Sequence, residues 1–160
     1  MEECVFCKIA KGEIHSHKIW EDKEHVALLS IFPNTPGFSV VLTKRHYPSY
    51  AFANSDEVLN NLVLATKKVA RILDATFKDV GRCGMFFEGF GVDHLHSKLF
   101  PMHGTRDMKE WKPIEDVSQR KEFYEKYPGF LTSHESKRAD DGELAKLARK
   151  IKQTAKRLGI

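Results

Sequence analysis

The chain has no apolar run that approaches the roughly 20 residues a membrane span requires, which excludes a transmembrane helix. Its opening, MEECVFCKIAKGE, lacks the basic-then-apolar layout of a secretory signal, so cytoplasmic residence is the expectation. It has only three cysteines, Cys4, Cys7 and Cys83, which cannot form a closed disulfide set. Cys4 and Cys7 stand at C-x-x-C spacing, the mark of a metal or redox pair in a reducing compartment. Cys83, alone in GRCGMFFEGF, reads as a buried small hydrophobe. Charge of one sign is barely in excess, at a net +4. Much of it falls between Asp140 and Ile160, where six Lys or Arg face three Asp or Glu. A solvated helix face accounts for that as well as an anionic partner does, so nucleic acid ranks low. Nothing repeats internally, and no segment is low in complexity.

What is present is ordinary globular material: 160 residues, 41% hydrophobic and 30% charged, enough for one domain with a real core. β-like runs occur at HKIWED (17–22), HVALLS (25–30), GFSVVLTK (37–44), CGMFFEGF (83–90) and HLHSKLFPMH (94–103). The prolines and glycine between Ile31 and Gly37 mark a loop. Between the third and fourth runs, Leu59, Leu62, Val63, Thr66, Val69, Ala70, Leu73 and Phe77 recur at helical spacing. Asn54 and Glu57 form a capping-box-like start to that helix. PIEDVSQRKEFYEKY predicts a further helix. A last one begins at Asp140, with Glu143 three residues on and an apolar stripe from Leu144 to Leu158. The class is α+β: an antiparallel sheet of about five strands with a central helix. The division is 1–112 for the core and 113–160 for a helical extension of the same compact unit.

The chemistry concentrates in GVDHLHSKLFP (91–101). Side chains alternate along a strand, so His94, His96 and Lys98 share one face. Taken alone they could be a solvated polar face or a site for phosphate chemistry. Neutral imidazole is a nucleophile toward phosphorus. A neighbouring ammonium keeps it neutral and attracts the phosphoryl charge.

At these residues the sequence resembles the histidine-triad (HIT) superfamily, whose last strand carries His-x-His-x-His-x-x. CVFCKIAKGEIHSHKIWED and LLSIFPNTPGFSVVLTKRH resemble two further family blocks in the family's order, so the resemblance spans about residues 4 to 103. It implies a HIT-like fold. It assigns His96 to the nucleophile, His94 to the first triad histidine and Lys98 to the position of the third. Val5, Phe6 and Ile9 fall around the nucleotide base, and Leu28, Leu29 and Ile31 on the next wall. Ser30 falls where an acidic residue holds the ribose hydroxyls. Cys4, Cys7, His46 and His94 match a zinc-binding branch. Two thiolates and two imidazoles close a tetrahedral site, which implies structural rather than catalytic zinc. The family also implies a homodimer and a purine nucleotide or nucleotide conjugate as ligand. Trp111 resembles the C-terminal tryptophan of one nucleotide-hydrolase branch.

Three departures touch the phosphate and ribose. Lys98 cannot shuttle a proton near neutral pH as a histidine does. EGFGV is short and lacks the usual phosphate-holding Gln and Ser/Thr, with Phe87 or Glu88 near the amide position. Ser30 cannot make a carboxylate's two-oxygen contact. The expected activity is hydrolysis of a nucleotide phosphoramidate or dinucleotide polyphosphate through a His96 adduct. A nucleotidyl transferase and a non-catalytic nucleotide-binding module are the alternatives. His15, His17, His25 and His103 read as surface residues, with His103 near the site's exit. His134 and Arg138 could add a polar wall.

Overall fold

A hairpin opens the sheet. Strands β1 (Lys18–Glu21) and β2 (His25–Leu29) are antiparallel, with a bulge between Lys18 and Trp20. The turn is set by Asp22, whose carboxylate accepts the amides of Glu24 and His25 at 2.9 and 2.7 Å. A side chain thus imitates a backbone turn. This computed structural model describes residues 4–107, 109, 123–128, 131–132 and 135–160. Strands β3 (Ser39–Thr43), β4 (Cys83–Phe86) and β5 (His96–Pro101) complete an antiparallel sheet in the order β1-β2-β3-β5-β4. Gly37, just before β3, has φ +78°. A Cβ there would lie 2.6 Å from the Phe77 ring, so no other residue fits without rearrangement.

The sheet's two faces differ. One is covered by helix α2 (Asp56–Thr76), which buries Leu62, Ala65, Val69, Ile72 and Leu73 against Ile19, Ala27, Leu29, Val41, Leu95 and Leu99. Each fully buried aliphatic side chain contributes about 1.5–3 kcal/mol. Ser97 also points to this face, and its hydroxyl lies 2.7 Å from that of Thr66. Helix α3 (Asp141–Leu158) adds Leu144, Ala148, Ile151 and Ala155 to the same core and packs on α2 and β1. Asp140 caps it by accepting the Glu143 amide at 3.0 Å. Among the described residues, no helix is long and apolar enough to cross a membrane.

The opposite face is small. Pairing sets Val26, Leu42 and His96 on one rung, and Leu28, Val40, Lys98 and Phe86 on the next. Opposed residues in an antiparallel ladder share a face. Helix α1 (Val5–Lys11) lies over these rungs through Phe6, Ile9 and Ala10.

Several details differ from the sequence expectations. Helix α1 was not anticipated. Ser55, not Asn54, caps α2, accepting the Val58 amide at 3.4 Å. The Asn54 amide is diverted to the carbonyls of Pro48 and Tyr50. Of the helix expected over 113–127, residues 113–122 lie outside the described residues and 123–127 are not helical. Cys83 is only half-buried and its thiol donates to Asp74 at 3.2 Å. His17, His25 and His103 are buried rather than superficial, because each ring meets a carboxylate: Asp141, Asp22 and Asp79.

Candidate functional site

Four chain segments converge at one end of the small face. Cys4 precedes α1 and Cys7 lies in its first turn, so both thiols point the same way. His46 follows β3, and His94 sits two residues before β5 rather than inside it. The Cys4 Sγ is 3.4 Å from His94 Nδ1, and the Cys7 Sγ is 3.5 Å from both His94 Nδ1 and His46 Nδ1. All four donor atoms lie within 4.8 Å of one another. Tetrahedral zinc, with bonds of about 2.3 Å to sulfur and 2.0–2.1 Å to nitrogen, needs S···N edges of about 3.6 Å. The spacing and the donor set therefore fit a metal ion. His94 is prepared for that role: its Nε2–H donates to the Thr43 carbonyl at 2.7 Å, which leaves Nδ1 unprotonated toward the thiols.

His96 is turned the other way. Its Nδ1–H donates to the His94 carbonyl at 2.6 Å, so Nε2 carries the lone pair. The residue borders a cavity of about 340 Å³ that is mainly apolar, lined by Phe6, Ile9, Leu28 and Val40 from the small face. Lys98 borders it as well, one rung along. Burial holds the His96 pKa below the ordinary histidine value. The Lys98 charge adds to this, while the His94 carbonyl and Glu88 oppose it. The Phe6 ring packs edge-on against both His96 and His94, at 5.2 and 5.9 Å, so α1 joins the metal-type cluster to the cavity.

A family model described as the HIT domain matches residues 11–105, the span that holds the sheet and the ordered His-x-His motif. This chain belongs to the HIT family. The adenosine 5'-monophosphoramidase of Saccharomyces cerevisiae is 32% identical over 120 residues, 75% of this chain and 73% of that protein. Two solved HIT structures share the fold over nearly the whole chain. A hypothetical histidine triad nucleotide-binding protein from Sulfolobus tokodaii has a TM-score of 0.71 at 19% identity, covering 97% of this chain and 93% of that one. A zinc-bound histidine triad protein from Mycobacterium smegmatis has a TM-score of 0.68 at 18% identity, covering 98% and 96%.

In this HIT chain the residues expected around a base do not all face the cavity alike. Val5, Phe6, Ile9, Leu28, Ser30 and Ile31 border it. Leu29 also borders it, yet its side chain belongs to the α2-side core, as strand alternation requires. The third triad position holds Lys98, whose ammonium pairs with Glu88 at 2.5 Å. Arg138 makes no cavity wall; it binds Asp141, which also meets His17. His103 does not face the cavity, but ties Asp79 to the Pro36 carbonyl. Trp111 and His134 lie outside the described residues.

Proposed function

We propose that this HIT protein is a nucleotide-processing enzyme that cleaves a nucleotide phosphoramidate or dinucleotide polyphosphate through a covalent His96 intermediate. The supporting observation is the fixed tautomer of His96. With Nδ1–H committed to the His94 carbonyl, Nε2 is the free lone pair at the cavity. In the first step Nε2 attacks the α-phosphorus, forming an N–P bond while the bond to the leaving group breaks, a departing amine taking its proton from solvent. In the second, water attacks phosphorus and yields its proton to solvent as the N–P bond breaks and the nucleotide leaves. Lys98 stabilises the charge that develops on the phosphoryl oxygens. The apolar wall of Phe6, Ile9, Leu28 and Val40 suits a purine base.

Zinc held by Cys4, Cys7, His46 and His94 would anchor α1 to the ends of β3 and β5, a structural contribution that leaves no open position for chemistry. A homodimer and cytoplasmic residence complete this reading.

The decisive experiment compares wild type with His96→Ala on adenosine 5'-phosphoramidate. We expect release of adenylate to fall about a thousandfold, with a nucleotidyl adduct on wild type alone. Equal background rates across phosphoramidates and dinucleotide polyphosphates overturn the enzyme and leave a nucleotide-binding module. Transfer to an acceptor phosphate is a second reading, favoured by Lys98. An anionic phosphate leaves without a proton, so a fixed ammonium serves it better than it serves an amine. The partition of the adduct between water and added phosphate separates hydrolysis from transfer.

A further inference from the structure

The chain beyond the family match reaches back to the cavity. Glu135 borders it, together with Ser30, Ile31 and His17. The segment after Glu135 is fastened to that same wall. The Ala139 amide donates to the Ile31 carbonyl at 2.9 Å. The Arg138 guanidinium contacts both oxygens of Asp141, at 3.1 and 2.9 Å, and His17 Nε2 lies 3.0 Å from one of them. Helix α3 then packs on α2 and β1, so Glu135 is held at the cavity by a segment anchored at several points.

Glu135 is the single carboxylate bordering this cavity among the described residues. Among the described residues it forms no hydrogen bond or ion pair, and Lys98 is paired with Glu88 instead. A carboxylate that faced a phosphate would oppose its binding. Its productive partner is a neutral pair of donors. Two carboxylate oxygens accept two hydrogen bonds, and a vicinal diol presents two O–H groups at matching spacing. Ser30, on the same wall, offers one hydroxyl, which already accepts the Phe32 amide at 3.1 Å.

We infer that Glu135 is the ribose-recognising residue of this cavity, accepting hydrogen bonds from the 2'- and 3'-hydroxyls of a bound ribonucleotide. The inference rests on the nucleotide reading above. It makes the C-terminal extension part of the site and the site selective for ribonucleotides over 2'-deoxyribonucleotides.

Calorimetric titration of the full chain with AMP and 2'-deoxy-AMP tests it. Wild type should prefer AMP by about tenfold, the worth of one hydrogen bond to a charged group. In Glu135→Ala, AMP loses both hydrogen bonds and 2'-deoxy-AMP the one from its 3'-hydroxyl, so AMP should weaken about tenfold more than 2'-deoxy-AMP and the ribose preference should vanish. Glu135→Gln keeps the bulk and one acceptor oxygen, and should fall between. Should the alanine variant fold poorly, the glutamine variant carries the test. A ribose preference that survives in both variants, or that is absent from wild type while both nucleotides bind, overturns the role of Glu135 and leaves the nucleotide reading intact. If neither nucleotide binds wild type, the nucleotide reading falls and takes this inference with it.

Discussion

The ammonium of Lys98 lies 2.5 Å from the carboxylate of Glu88, and the same lysine borders the cavity beside His96. Both side chains are partly exposed, at 20% and 38%, so the pair contributes at most about 1 kcal/mol to stability. Its consequence is competition. A phosphate entering the cavity must share Lys98 with Glu88. Glu88→Gln should therefore tighten AMP binding several-fold with little change in melting temperature. Lys98→Met should weaken it by about tenfold. Identical affinities in wild type and Glu88→Gln would show that the two carboxylate oxygens do not compete with phosphate.

The four-donor cluster predicts a metal-dependent anchor for α1. Purified protein should contain about one zinc per chain, since four ligands close one tetrahedral site. Cys7→Ser should lower that content sharply and reduce the melting temperature by roughly 5 °C or more. Elemental analysis and thermal unfolding read the two effects. Because Phe6 packs on His96, loss of metal should also weaken nucleotide binding. Zinc well below stoichiometry in wild type, unchanged by the substitution, removes this claim.

The sequence periodicities were sufficient for the sheet, α2 and α3, because those elements bury continuous apolar stripes on one core. Helix α1 was not legible for the opposite reason. It buries only Ile9 fully and has no side-chain cap, and what fixes it lies far away in sequence at His46 and His94. The alternation of His96 and Lys98 could be read because strand period is local. Their partners could not. His17 meets Asp141 across 124 positions and His103 meets Asp79 across 24, and no local pattern reports such pairs. The choice between Asn54 and Ser55 as cap turned on two carbonyls, of Pro48 and Tyr50, that claim the asparagine. Glu135 reaches the cavity only through the tertiary clamp on Ile31 and His17, so its place was equally silent.

The buried hydroxyl pair of Thr66 and Ser97 locks β5 to α2 and should behave as a unit. The Thr66 hydroxyl donates to the Leu62 carbonyl at 2.7 Å, which leaves the Ser97 hydroxyl to donate to Thr66. Thr66→Val strands that donor in a dry interface and should cost about 1–3 kcal/mol. Adding Ser97→Ala removes the stranded group and should recover much of the loss. Denaturant unfolding of both single variants and the double variant gives the coupling. Purely additive losses would mean the two hydroxyls act independently.

Asp79 provides a pH-dependent fastening at the end of β5. Burial alone would raise its pKa, but the His103 hydrogen bond at 3.1 Å, the charge on that ring and the Gly104 amide outweigh it. The carboxyl is thus held below its ordinary 3.8. A folded value below the unfolded one means that the unfolded chain binds the proton more readily, so stability rises with pH through this window. The contribution is complete above about pH 4 and is lost as pH falls through the lower folded value. The Asp79 side chain is 52% exposed, so solvent screening keeps the effect below about 1 kcal/mol. Asp79→Asn should accordingly be slightly less stable than wild type near neutral pH. The gap should close in acid, once the pH has fallen below the lowered folded value and both side chains are neutral. Urea unfolding of the two proteins at both pH values measures it. A gap that persists undiminished in acid would assign the loss to packing around His103 rather than to the carboxylate charge.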